Sequence, residues 1–266
     1  MKKKKKENSK KKEEKIPRII MGLDISTTCI GVCILENDGS EYGKVLELTH
    51  VSPKVPRKIK GIEALFLKKQ IFKDEFLTKW QKFGIDKVII ESPLLSSNNT
   101  NTVAVLLQFN GMISDCIYEM LGIVPDYITS YDARKYAFPN LSTIRKFNRD
   151  GEPYENKKIL SNIKKSKVVL FGDFPIEVEK KTIVWENVSK IFPHIQWLYD
   201  KNNELKKENF DASDSLVCIL GQMNKEKLGE LNFKIKNVVF KDKLIEYDLL
   251  YWDKIEKRNT YLNDEE

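Results

Sequence analysis

Histidine is nearly absent from this sequence. The two that occur, His50 and His194, are far apart and have no local partner. A histidine-based metal site or a Ser-His-Asp triad therefore has little support. Cysteine is scarce as well. Cys29, Cys33, Cys116 and Cys218 form no CxxC pair and sit among apolar neighbours. They read as reduced core residues of an intracellular, cytoplasmic protein, not as a zinc site or a disulfide frame. No apolar run approaches the roughly 20 residues of a membrane span. The N-terminus is lysine-rich and lacks the apolar stretch of a secretory signal. No internal repeat is visible.

What remains is a charged chain with enough apolar material to fold. Of its 266 residues, 41% are hydrophobic, which suffices for one sizeable core, or one core plus a small appendage. The formal charge of +7 is mostly a tail. Residues 1–16 hold nine Lys and three Glu, a net of +6, and the rest of the chain carries only +1. Such a tail buries too little apolar surface to fold and is expected to be disordered. It suits nucleic-acid binding by counterion release, a nuclear localisation signal, or a plain solubilising arm.

The chain is organised around IIMGLDISTTCIGVCIL, residues 19–35. Two apolar runs read as strands separated by a turn. One acid, Asp24, interrupts them. A lone carboxylate in an apolar strand is costly unless something pairs with it. A metal ion would do so, and a side-chain cap on the turn is the equal alternative on this stretch alone. Val45, Leu46 and Leu48 suggest a third strand, and helical spacing runs from Ile59 to Phe83, ended by Gly84. A buried strand from Ile85 stops at Glu91, before Ser92 and Pro93. The polar stretch SSNNTNT precedes a helix from Val103 to Leu121 that is apolar nearly all round, which predicts a central helix or one at an interface. Asp126–Ser130 reads as a further strand. The order strand, strand, strand, helix, strand, helix, strand signals an α/β or α+β sheet.

Residues 134–167 change character. They hold ten basic residues against three acids, a net of +7, with Tyr136, Phe138, Phe147 and Tyr154 interleaved. Arg134, Lys135, Arg145, Lys146, Arg149, Lys157 and Lys158 are the candidate nucleic-acid contacts, since basic patches with aromatics suit backbone binding and stacking. A solvated helical face is the plainer reading. Val168–Ile176 suggests a short strand, Lys180–Leu198 a helix interrupted near Pro193, and Lys201–Asn209 a polar linker. The helical stretch FDASDSLVCILGQM, 210–223, carries Asp211 and Asp214 three apart, hence on one face near its N-terminus. Residues 229–266 look like a strand-rich C-terminal extension.

Four acids stand out by position: Asp24, Glu91, Asp211 and Asp214. If the first and fourth strands are neighbours and the late helix crosses their ends, the carboxylates converge. They would then repel one another unless cations neutralise them. An oxygen-only ligand set favours Mg²⁺, with Mn²⁺ as a substitute, over zinc. Two such ions support phosphodiester hydrolysis without a histidine base.

GLDISTTCIGVCIL, VIIESP and FDASDSLVCIL resemble the three acidic motifs of the RuvC-like Holliday junction resolvases of the RNase H-like superfamily, over roughly residues 18–135 and 180–225. The layout resembles most the longer members from phages and large viruses, for which the compartment is the host cell. The resemblance implies an α/β fold: an RNase H-like mixed five-stranded sheet flanked by helices. That domain would span 17–228, with a basic insertion around 140–180. It implies that Asp24 bridges two metal ions, that Glu91 and Asp214 complete the shell, and that Asp211 matches a position held by an acid or a histidine. Ser26 and Thr27 fall in a turn where phosphate contacts are implied. Leu94 and Leu95 stand where the family commonly has an aromatic wedge. The implied partners are branched DNA, a four-way junction above all, and a second copy of the chain paired through the Val103–Leu121 helix. The implied activity is a Mg²⁺-dependent endonuclease giving 5′-phosphate ends.

Three other readings remain open. GLDISTT also resembles the first phosphate motif of actin-like sugar kinases, but a second glycine-rich phosphate loop is missing. A non-catalytic DNA-binding module would not need all four acids. A RuvC-like nuclease with another nucleic-acid substrate fits the same motifs, because fold and metal site do not determine substrate.

Overall fold

The computed structural model describes residues 18–93, 99–241, 244–253 and 259–261. The lysine-rich tail, Leu94 and Leu95 lie outside these residues. The central sheet is built from β1 (Ile19–Ile25), β2 (Ile30–Glu36), β3 (Lys44–Val51), β4 (Lys87–Glu91) and β5 (Asp126–Ile128), in the order β3-β2-β1-β4-β5. β1, β2 and β3 pair antiparallel, whereas β4 and β5 join parallel to β1. This mixed five-stranded order with flanking helices is an RNase H-like α/β fold, as the motifs imply.

Strand alternation divides the core in two. On one face Met21, Leu23, Ile25, Val88 and Ile90 pack against a helical run and a long helix. The run starts as α1 (Gly61–Ile71), passes through a π turn (Phe72–Leu77) and α2 (Thr78–Trp80), and ends in a 3-10 turn (Gln81–Phe83). Gly84, at φ +64°, closes it. The helical spacing expected over 59–83 is present, and the π turn is an addition that keeps Phe72 and Leu77 both inside the core.

The long helix is α3 (Thr100–Leu121). The Asn99 side chain caps it, accepting from the Thr102 amide at 3.2 Å. It is not central. Phe109, Ile113, Cys116 and Ile117 form one buried stripe, whereas Val105, Leu107 and Tyr118 are exposed. Its sequence is apolar all round, but only the stripe facing the sheet is covered.

The other face of the sheet presents Ile20, Cys33, Leu35 and Ile89 to α4 (Ser130–Ala137), α6 (Lys180–Ile191) and α7 (Glu208–Leu228). Between α4 and α6 come β6 (Ser142–Ile144), α5 (Asn156–Lys164) and β7 (Val168–Leu170), with β6 and β7 paired antiparallel. The helix expected over 180–198 stops at Ile191, short of Pro193. Helix α7 is longer than the 210–223 read from its apolar side, and is followed by a three-stranded antiparallel sheet of β8 (Leu231–Lys241), β9 (Leu244–Asp253) and β10 (Asn259–Tyr261). This C-terminal sheet braces the basic segment. The Ile144 amide donates to the Tyr247 hydroxyl at 3.1 Å, the same hydroxyl meets Thr143 Oγ1, and Lys146 Nζ lies 5.5 Å from the Tyr247 ring centroid.

Candidate metal centre

The acids meet because of strand parity and register. In β1 the odd residues Met21, Leu23 and Ile25 face α3, so Asp24 shares the α7 face with Ile20 and Gly22. In β4 the same alternation puts Glu91 on the α7 face with Ile89. Leu23 pairs with Ile90 in the parallel register, so Asp24 and Glu91 are the next residues of neighbouring strands. Helix α7 lies across these strand ends and presents Asp211 and Asp214 from its N-terminal turns. Gly31, the register partner of Asp24, permits the close approach: a Cβ there would run into the Asp211 backbone carbonyl.

Carboxylate oxygens of Asp24, Glu91 and Asp214 lie within 4.8 Å of one another. An octahedral Mg²⁺ holds oxygens at roughly 2.1 Å, so its ligands are at most about 4.2 Å apart. Three carboxylate oxygens gathered this closely fit the ligand shell of one such ion. The hard oxygen donors also match Mg²⁺ or Mn²⁺ chemistry. Burial, then the charges of Glu91, Asp214 and Asp211, hold the Asp24 carboxyl well above the ordinary carboxylate range. Burial and then Asp214 push Glu91 up to about 7, against the opposing pull of Arg134 and Lys181. Carboxylates perturbed in this way, converging in a cleft, are the signature of a functional site.

Two cations stand beside the acids. Arg134, from α4, reaches Asp214 Oδ1 at 3.3 Å and Oδ2 at 3.4 Å. Lys181, from the first turn of α6, donates to Asp211 Oδ1 at 3.0 Å and lies 3.5 Å from Asp214 Oδ2. Burial pulls the Lys181 ammonium down, but Asp214 and Asp211 outweigh it and its pKa is raised. Cys218 Sγ sits 3.9 Å from Glu91 Oε2 on the buried side. An open cleft of about 470 Å³, lined by Thr28, Ser52, Lys181, Lys207 and Asp211, lies next to the acids.

Of the four acids read from the sequence, Asp24, Glu91 and Asp214 form one group. Asp211 stands outside it and is engaged by Lys181. The Ser26 hydroxyl is turned into its own loop, accepting from the Cys29 amide at 3.0 Å and donating to the Cys29 carbonyl at 2.8 Å. The Thr27 carbonyl accepts from Lys68 Nζ at 2.5 Å, which ties the loop to α1. Arg134 points inward, to the acids. Lys135 lies over the rings of Tyr136 and Phe233, Lys146 pairs with Asp173 at 2.6 Å, and Lys158 lies over Tyr154. Arg145, Arg149 and Lys157 are exposed. Leu94 lies outside the described residues. Lys181 carries no motif and is invisible to sequence reasoning. Only the packing of α6 on α7 brings it to the site.

An RNase H-like sheet with a carboxylate cluster at the ends of its first and fourth strands thus defines this molecule. No family model matches the chain, and no curated protein matches it. Solved structures do. The chain is similar to Thermus thermophilus RuvC in complex with a Holliday junction substrate, at 9% identity, 79% of this chain, 96% of that chain and a TM-score of 0.46. Another Thermus thermophilus RuvC structure gives 13%, 79%, 96% and 0.45. The yeast mitochondrial Holliday junction resolvase Ydc2 gives 13%, 81%, 82% and 0.45. The fold itself is given by strand order and direction.

Proposed function

We propose that this protein is a divalent-metal-dependent endonuclease that cuts branched DNA, of the Holliday junction resolvase type, leaving 5′-phosphate ends. The observation that carries the reading is the convergence of Asp24, Glu91 and Asp214 within 4.8 Å at neighbouring strand ends. A bound ion there supplies Lewis-acid activation of water and charge stabilisation at the phosphate. The chain's own residues provide the rest. Asp24 and Glu91 present ligand oxygens from rigid strands, which hold geometry better than loops. Arg134 keeps Asp214 oriented and partly neutralised. The exposed Arg145, Arg149 and Lys157 suit contacts to the DNA backbone, which position a duplex without reading its sequence. The exposed apolar residues of α3, Val105 and Leu107, suit a two-fold contact with a second copy. Two sites related in this way match the two symmetric cuts that a four-way junction needs.

The test is a substrate panel. Purified protein is incubated with a labelled four-way junction, a linear duplex of the same sequence and an RNA–DNA hybrid, with Mg²⁺ or with chelator. The expected result is paired cuts in the junction, only with Mg²⁺. Preferential cutting of the hybrid or the linear duplex would instead favour a nuclease of the same fold with another substrate.

A further inference from the structure

Lys181 belongs to none of the motifs, and the proposed reaction does not use it. Its ammonium bridges the two acids that α7 presents three residues apart, 3.0 Å from Asp211 Oδ1 and 3.5 Å from Asp214 Oδ2. An ammonium between two carboxylates supplies there the positive charge that a divalent ion would otherwise supply. Arg134 covers Asp214 from another direction at 3.3 Å. Asp214 is almost fully buried, with 3% of its side chain exposed, so its charge has to be met within the protein. With all four acids ionised, as metal binding requires, four carboxylates against these two cations leave a charge of −2. One divalent ion neutralises that. A second would leave surplus positive charge beside a partly buried ammonium, where repulsion is poorly screened. The lysine backbone is also held in place: Val184 and Val188, on the same helix, are fully buried in the core that contains Leu216 and Leu220 of α7.

We propose that Lys181 takes the place of a second metal ion, so that the chain binds a single divalent ion, at Asp24, Glu91 and Asp214. The inference rests on reading these acids as a metal centre. Lys181 then acts as a positioning residue: it holds Asp211 and Asp214 with one charge, and a permanent protein cation replaces an exchangeable one.

The experiment counts ions without DNA. Full-length metal-free protein is titrated with Mn²⁺, and bound ions per chain are read by electron paramagnetic resonance and by calorimetry. Wild type is expected to bind one. Lys181→Gln is expected to bind two, the second within about tenfold of the affinity of the first, or about 1.4 kcal/mol. Lys181→Arg, which keeps the cation, is expected to bind one. If Lys181→Gln does not fold, Lys181→Met gives the same reading. Any count other than one on wild type overturns the proposal, as does an unchanged count on the neutral variants. Junction cleavage by the same wild-type preparation separates the two ideas. One ion without cleavage removes the nuclease and leaves the role of Lys181. Two ions with cleavage do the reverse.

Discussion

Glu91 is the residue whose environment has the clearest measurable consequence. Its ordinary value is 4.5 and in the fold it is pushed up to about 7 by burial and Asp214. Between those values the unfolded chain has released the proton and the folded chain keeps it. Raising pH through this window therefore lowers the stability of the metal-free protein, and the share of the loss due to Glu91 is complete above about 7. The same deprotonation frees the ligand, so metal affinity rises over the same window. Thermal melts at about pH 5 and about pH 8 check this. The gain in Tm on adding Mg²⁺ is expected to be larger at the higher pH, and Glu91→Gln is expected to flatten the difference. Equal gains at both pH values would contradict the assignment. Gly31 is the second informative residue. Gly31→Ala drives a methyl into the Asp211 carbonyl, so the variant is expected to lose about 1–3 kcal/mol in a denaturant titration. Its metal affinity should fall with it, because Asp24 and α7 are pushed apart.

At the scale of elements, the sequence is readable where periodicity and turn chemistry agree. The β1–β2 hairpin, β4 ending at Glu91, and the α7 motif all declare themselves by apolar runs with an acid at a fixed place. Helix α3 shows the limit of that reasoning. An all-round apolar helix predicts burial, but only the stripe of Phe109, Ile113, Cys116 and Ile117 meets the sheet. The exposed Val105 and Leu107 carry a prediction of their own. Val105→Asp with Leu107→Asp is expected to convert a dimer to a monomer by light scattering while leaving the melting temperature within a few degrees. A wild-type monomer would remove this interface. Lys181 marks the other limit. A lysine in the first turn of a surface helix has no pattern that separates it from a solvated one. Its role arises from the crossing of α6 and α7, a long-range packing event. The basic stretch 134–167 reads as one patch in the sequence, yet its members divide three ways. Arg134 turns to the acids, Lys135, Lys146 and Lys158 lie over aromatic rings, and Arg145, Arg149 and Lys157 face out. Charge counting alone cannot sort these.

At the scale of the molecule, the protein combines a carboxylate centre on a rigid sheet with positive charge supplied from elsewhere in the chain. The C-terminal sheet braces the basic segment through Tyr247, a connection that joins residues about a hundred positions apart and leaves no local trace in the sequence. The sixteen N-terminal residues carry +6. Their removal is expected to weaken DNA binding and to reduce the slope of log affinity against log salt by about 0.9 for each phosphate the tail neutralises. An unchanged slope would leave them without a part in binding. The central claim is that Asp24, Glu91 and Asp214 form a metal centre that hydrolyses branched DNA. It is tested most directly by comparing wild type with Asp24→Asn on one four-way junction, measuring binding and cleavage together. The expected result is junction binding unchanged within a few-fold and Mg²⁺-dependent cleavage reduced at least about 1,000-fold, equivalent to about 4 kcal/mol of transition-state stabilisation. Equal cleavage by the two proteins, or none by wild type, would contradict it.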